Sequence, residues 1–177
     1  ESQALSLVGG DITLQAEPFE DGTMQAANLR APGGQLNLLS VASPGEVLVP
    51  SFQTDSFTTM GTVTLKEGST LDVSGQVDEF GTPIGNGNSG TVFVRGGQLV
   101  IDASTIVANT AGAVDGAPMA VDIQVSHDVA LSNFARISVG TSGSGQGGDV
   151  VIEAESVRLS GFSEIITETF GPGQGGD

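Results

Sequence analysis

The feature that most constrains this chain is repetition. Gly145-Gln146-Gly147-Gly148-Asp149 returns residue for residue as Gly173-Gln174-Gly175-Gly176-Asp177, an offset of 28 residues. Gly148-Asp149-Val150-Val151-Ile152 also echoes Gly10-Asp11-Ile12-Thr13-Leu14. Used as a template, that start finds further copies at Gly34, Gly61, Gly90 and Met119. The resulting units, 10–33, 34–60, 61–89, 90–118, 119–147 and 148–175, are nearly equal in length and cover most of the chain. Repeats of this length mean stacked supersecondary units, each burying its apolar edge on its neighbours.

Within a unit the apolar period is two. The last unit reads Val150-x-Ile152-x-Ala154, then Val157-x-Leu159, then Ile165-x-Thr167-x-Thr169, and closes on a glycine-rich turn. Alternation over three to six residues, punctuated by Gly or Ser, predicts short half-buried strands. No window of helical length keeps a 3.6-residue stripe; only 24–29 (MQAANL) tolerates helix. Units align in their third strands through Leu71, Ile106, Ile137 and Ile165, and in their second through Leu99, Val129 and Val157. Three strands per unit predict an all-β chain: one domain folded as a parallel β-helix of about six coils, roughly 28 residues each. The handedness of parallel crossovers predicts a right-handed coil. At ~4.8 Å per coil the rod would be roughly 30 Å long.

Composition excludes several classes. Five basic against 21 acidic residues give a net charge of −16, which leaves no electrostatic footprint for nucleic acid. No run of 18 apolar residues is present to insert in a membrane as a helix. The chain has no Cys, hence neither disulfides nor thiolate chemistry. A mean hydropathy of +0.13 argues for a folded core despite the charge. Glu1 in place of Met reads as a cut inside a longer chain.

Gly34-Gln35-Leu36-Asn37-Leu38-Leu39-Ser40-Val41-Ala42-Ser43-Pro44-Gly45-Glu46-Val47 resembles a stretch of the filamentous-haemagglutinin-like exoproteins. Gly68-Ser69-Thr70-Leu71-Asp72-Val73-Ser74-Gly75 and Gly96-Gly97-Gln98-Leu99-Val100-Ile101-Asp102-Ala103 resemble coils of the same family. The resemblance covers nearly the whole chain and is most specific at Pro44-Gly45-Glu46. It implies the shaft of a secreted cell-surface exoprotein of a Gram-negative-type or cyanobacterial cell. For the parent chain it implies export by two-partner secretion, with an outer-membrane β-barrel transporter as partner. The resemblance implies a non-catalytic protein that acts as an adhesin, with a glycan or cell-surface protein as its ligand, or as a shaft carrying terminal effector modules. The Asn-Pro-Asn motif of the family's secretion domain is not found, which places that domain before Glu1.

Two other classes stay open: a carbohydrate-active β-helix enzyme of lyase or hydrolase type, and a filament-forming matrix protein. Glycoside hydrolysis needs paired carboxylates. Asp72, Asp102, Glu153 and Glu155 alternate with apolar residues and read as outward, solvated acids, while Arg95, Arg136 and Arg158 read as local partners for them. The single histidine sits in Ser126-His127-Asp128, a turn, with no nucleophile motif beside it. No catalytic residue and no cofactor is assigned. The Gly-Gln-Gly-Gly-Asp joints partly match a calcium β-roll turn, making Asp149 and Asp177 the Ca²⁺ candidates, but the glycine spacing differs. The loop 76–89 (QVDEFGTPIGNGNS) is the expected partner contact, through Asp78, Glu79, Phe80, Asn86 and Asn88. A second candidate is 109–118 (NTAGAVDGAP).

Overall fold

A computed structural model describes residues 3–48 and 52–177 and contains strands but no helix among them. The chain winds as a parallel β-helix of five coils. The first coil runs β1 (Ala4–Gly9), β2 (Ile12–Leu14), a small antiparallel hairpin of β3 (Glu17–Pro18) and β4 (Met24–Gln25), then β5 (Asn28–Arg30). The second has β6 (Gln35–Ser40), β7 (Thr62–Leu65) and β8 (Thr70–Asp72). The third has β9 (Thr91–Gly96), β10 (Gln98–Asp102) and β11 (Thr105–Thr110). The fourth has β12 (Met119–Val125), β13 (Asp128–Ser132) and β14 (Arg136–Thr141). The fifth has β15 (Asp149–Glu153), β16 (Ser156–Leu159) and β17 (Glu164–Thr169).

The strands form three five-stranded parallel faces: β1-β6-β9-β12-β15, β2-β7-β10-β13-β16 and β5-β8-β11-β14-β17. Registers stack like on like. Leu5, Leu36, Val92, Val121 and Val150 form one inward column of the first face, at separations of 31, 56, 29 and 29 residues. Leu29, Leu71, Ile106, Ile137 and Ile165 form a column of the third face. In the three inner coils these side chains are fully buried. Full burial of a Leu, Ile or Val contributes about 1.5–3 kcal/mol, so the columns supply most of the cohesion.

Two expectations about phase are corrected. The units at Gly10 and Gly61 do not begin coils: Ile12/Leu14 pair with Val63/Leu65, and these with Leu99/Ile101, on the second face. Five coils result instead of six. The unit at Gly61 shows no separate middle strand because it is itself the middle strand. The 56-residue step arises because long connections separate β6 from β7 and β8 from β9. Residues 49–51 of the expected 34–60 coil lie outside the described residues. From 91 onward the expected third-strand and second-strand alignments match the observed registers. The helix-tolerant 24–29 stretch forms strand instead, in β4 and β5.

The corners follow their own chemistry. Between the second and third faces Glu67, Ala103, Asn133, Phe134 and Phe162 take left-handed φ. Ser69, Ser104 and Ser163 close these turns by donating to the carbonyls of Lys66, Asp102 and Ser160 at 2.6, 2.9 and 2.7 Å. Two of these hydroxyls also accept a backbone N–H of the preceding coil, Ser104 from Ser69 and Ser163 from Ala135. Between the third and first faces glycine packs on backbone. A side chain on Gly90 would strike the Gly34 carbonyl, and one on Gly148 the Ala117 carbonyl. That is why glycines recur there.

Candidate functional site

The described parts of the arm, 41–48 and 52–61, lie on the outer side of the first face. Val41 and Met60 form an antiparallel bridge at its base, and Phe52, 3% exposed, lies 6.0 Å from the Phe93 ring. Beside Phe93, Arg95 and Asp122 are 4% and 5% exposed on a face that would otherwise meet water. Arg95 Nη1 and Nη2 donate to the two carboxylate oxygens of Asp122 at 2.9 and 2.8 Å, and its guanidinium stands 5.3 Å from the Phe93 ring. The pairing expected for the arginines is general. Arg30 meets Asp72 at 2.9 Å, Arg158 meets Asp128 at 2.7 Å, and Arg136 meets Glu164 and Glu168 at 3.0 and 3.1 Å.

The carboxylates are engaged in holding one coil to the next. Asp11 accepts the Thr62 N–H, Asp115 that of Gln146 and Asp149 that of Asp177, at 2.8, 2.9 and 3.0 Å. Asp102 accepts from Ser132 Oγ and Asn133 Nδ2, both at 2.6 Å, and these bonds hold its carboxyl below the usual aspartate range. Asp128 is lowered by Ser156 Oγ and then by Arg158. With those partners it does not orient His127, whose exposed Nδ1 lies 3.6 Å from Glu155. Asp21 is lowered by its bonds from Thr23 in the hairpin turn. The Ca²⁺ candidates Asp149 and Asp177 stand one above the other at a corner. Among the described residues no group of three His, Asp or Glu side chains is placed to hold a metal.

The loop 76–89 is a small folded excursion. Val77 and Pro83 pair as an antiparallel bridge, and Asp78 Oδ1 accepts the N–H groups of Phe80 and Thr82 at 2.9 and 2.8 Å. Asp78 is therefore a turn former. Glu79, Asn86 and Phe80 are exposed, Phe80 at 84%, whereas Asn88 is half-buried against Gly33. The five expected contact residues thus split into three that face outward and two that shape the loop. In the second candidate segment, Asp115 is held by Gln146 and Val114 is exposed.

Three side-chain groups were not anticipated from the sequence. Phe134 and Phe162, from adjacent coils, stack with centroids 5.5 Å apart on the left-handed corner. A wide depression of about 580 Å³, lined by Gln3, Leu5, Arg30 and Gln76 among others, is the open edge of the first coil. On the outer side of the third face, a cleft of about 160 Å³ crosses three coils between Asn109, Arg136, Ser138, Gly140, Glu168 and Phe170. Alternation marks the residues of the cleft as outward, but nothing in the sequence marks the cleft itself, because its walls come from residues about 30 positions apart.

These features define a three-faced parallel β-solenoid with lateral decorations and with its charged groups paired along the stack. Comparison with protein-family models, with curated proteins and with solved structures found no match to this chain.

Proposed function

We propose that this chain is a structural and adhesive shaft segment of a secreted, cell-surface exoprotein, and that it is non-catalytic. One observation carries the reading: all three faces run through five coils in parallel pairing, and the long insertions fall between strands. Such a stack gains reach with each coil, since a coil contacts only its neighbours. The arm 41–61 and the loop 76–89 then offer lateral surfaces to a glycan or protein on another surface. Export of the parent chain through an outer-membrane β-barrel partner is part of the proposal and rests on the resemblance of residues 34–47. The acidic surface suits this role by keeping the rod soluble and its strand edges apart.

The non-catalytic part is supported by Asp11, Asp102, Asp115, Asp128 and Asp149, whose carboxylates are taken up by bonds from neighbouring coils. Beads coated with the protein test the whole reading. Their attachment to polysaccharide- and protein-coated surfaces is scored, and the same surfaces are assayed for new reducing ends. Attachment without turnover is the expected result; turnover overturns it in favour of a carbohydrate-active enzyme.

A further inference from the structure

We infer that the cleft on the third face is a subsite for a neutral sugar. Its walls come from three successive coils: Asn109 from the third, Arg136, Ser138 and Gly140 from the fourth, and Glu168 and Phe170 from the fifth. With strands about 4.8 Å apart it spans roughly 10 Å, the reach of one or two sugar rings. The floor is low at Gly140, which has no side chain and lies between the Asn109 amide and the Glu168 backbone.

Polar groups in the cleft lack protein partners. Ser138 is only 6% exposed, and its hydroxyl, which makes no hydrogen bond among the described residues, opens on the cleft. The Asn109 side-chain amide is likewise unpaired there, since only its backbone is bonded, the N–H to Ser74 and the carbonyl to Gly75. Arg136 donates from Nη2 to Glu168, while its buried Nε lies 3.0 Å from Glu164 but out of line for a hydrogen bond. Unlike Arg136 Nε, the Ser138 hydroxyl and the exposed Asn109 amide are open to water, so a ligand that both donates and accepts can take the place of that water. Sugar hydroxyls do both.

Phe170 stands at the mouth, 78% exposed, its N–H bonded to Thr141 so that the backbone beneath the ring is fixed. An exposed aromatic ring on a fixed backbone offers its apolar face to the C–H face of a pyranose. Charge sets the class further. The one arginine in the cleft is bracketed by Glu164 and Glu168, a local net charge of −1 on a chain of −16, which repels uronic acids and sulfated sugars. A cation is disfavoured because both carboxylates already face Arg136.

The site rests on the adhesive reading and gives it a ligand class and an address. Cellohexaose, xylohexaose and galactohexaose are titrated into the intact chain by calorimetry and by amide-shift NMR, with hexagalacturonate as the charged counterpart. At least one neutral hexamer is expected to bind, with hexagalacturonate at least about tenfold weaker. Phe170→Ala and Asn109→Ala each weaken that binding about tenfold, while Phe162→Ala, which removes an exposed ring from another corner, leaves it unchanged. Far-ultraviolet dichroism and thermal melting confirm that each variant keeps the fold. The inference is overturned if no neutral hexamer binds, if hexagalacturonate binds more tightly, or if the Phe170 and Asn109 variants bind like the parent. None of those results touches the shaft reading, which fails on a different outcome, the breakdown of a probe.

Discussion

Arg95 and Asp122 form a two-pronged ion pair, at 2.9 and 2.8 Å, on the outside of a sheet and yet out of water. Phe52 of the arm packs 6.0 Å from the Phe93 ring, which stands 5.3 Å from the guanidinium. A solenoid with bare faces would leave both groups solvated, where such a pair contributes little. Desolvation changes the energetics. Asp122→Ala is expected to cost about 3–5 kcal/mol in urea unfolding, because it strands a buried guanidinium. The double change Arg95→Met with Asp122→Leu is expected to recover most of that loss. Equal losses in the single and double variants would show that the pair is not desolvated in solution.

Glycines at the corner between the third and first faces are expected to differ from those elsewhere. Gly90→Ala drives a methyl into the Gly34 carbonyl and is expected to destabilise by about 3 kcal/mol. Gly10→Ala meets open space and is expected to be neutral, or stabilising by up to about 1 kcal/mol. Chemical denaturation of the two variants side by side decides the matter.

Position along the stack sets the value of a leucine. Leu131 and Leu159 are register partners in adjacent coils, 1% and 46% exposed. Leu131→Ala is expected to cost about 2–5 kcal/mol and Leu159→Ala clearly less, on the order of 1 kcal/mol. Comparable losses at the two positions would mean that the fifth coil is covered in solution.

Acid should weaken the Asp102 corner. The carboxyl is held below its ordinary range in the folded chain, so its stabilising effect is complete above the normal aspartate range. It is lost as the pH falls through the lowered value. Protonation also relieves repulsion across the acidic surface, an effect shared by every variant. The informative quantity is thus a difference: Asp102→Asn is expected to be less stable than the parent at pH 7 and to approach it near pH 2, as followed by melting temperature.

The coils from residue 91 onward were legible in the sequence because no insertion interrupts them. Ile106, Ile137 and Ile165 recur at intervals of 31 and 28 residues, and the register follows. The first two coils were misphased for a physical reason. Strands of all three faces share one apolar alternation, so Gly10-Asp11-Ile12-Thr13-Leu14 looks like the start of a coil when it is a middle strand. Only the three-dimensional exit of 41–61 resolves the phase. The cleft beside Phe170 and the Arg95–Asp122 pair stayed hidden because outward positions hold polar and apolar residues alike, Phe93, Val100, Val107 and Ile166 among them. What distinguishes them is what lies across from them, one coil away or under an arm. The left-handed Phe134 and Phe162 were equally unforeseeable, since bulky residues rarely take that conformation.

The ladder hydrogen bonds of all three faces point along the rod, from each coil to the next. A tension applied at the two ends therefore pulls directly on one turn's bonds at a time, whereas a sideways force must drag whole faces across each other. Stretched end to end, the molecule should yield stepwise from its ends, each event releasing about 30 residues, or ~100 Å of chain. A solenoid built this way lengthens under strain instead of snapping, and each turn released can rewind on the one beneath it.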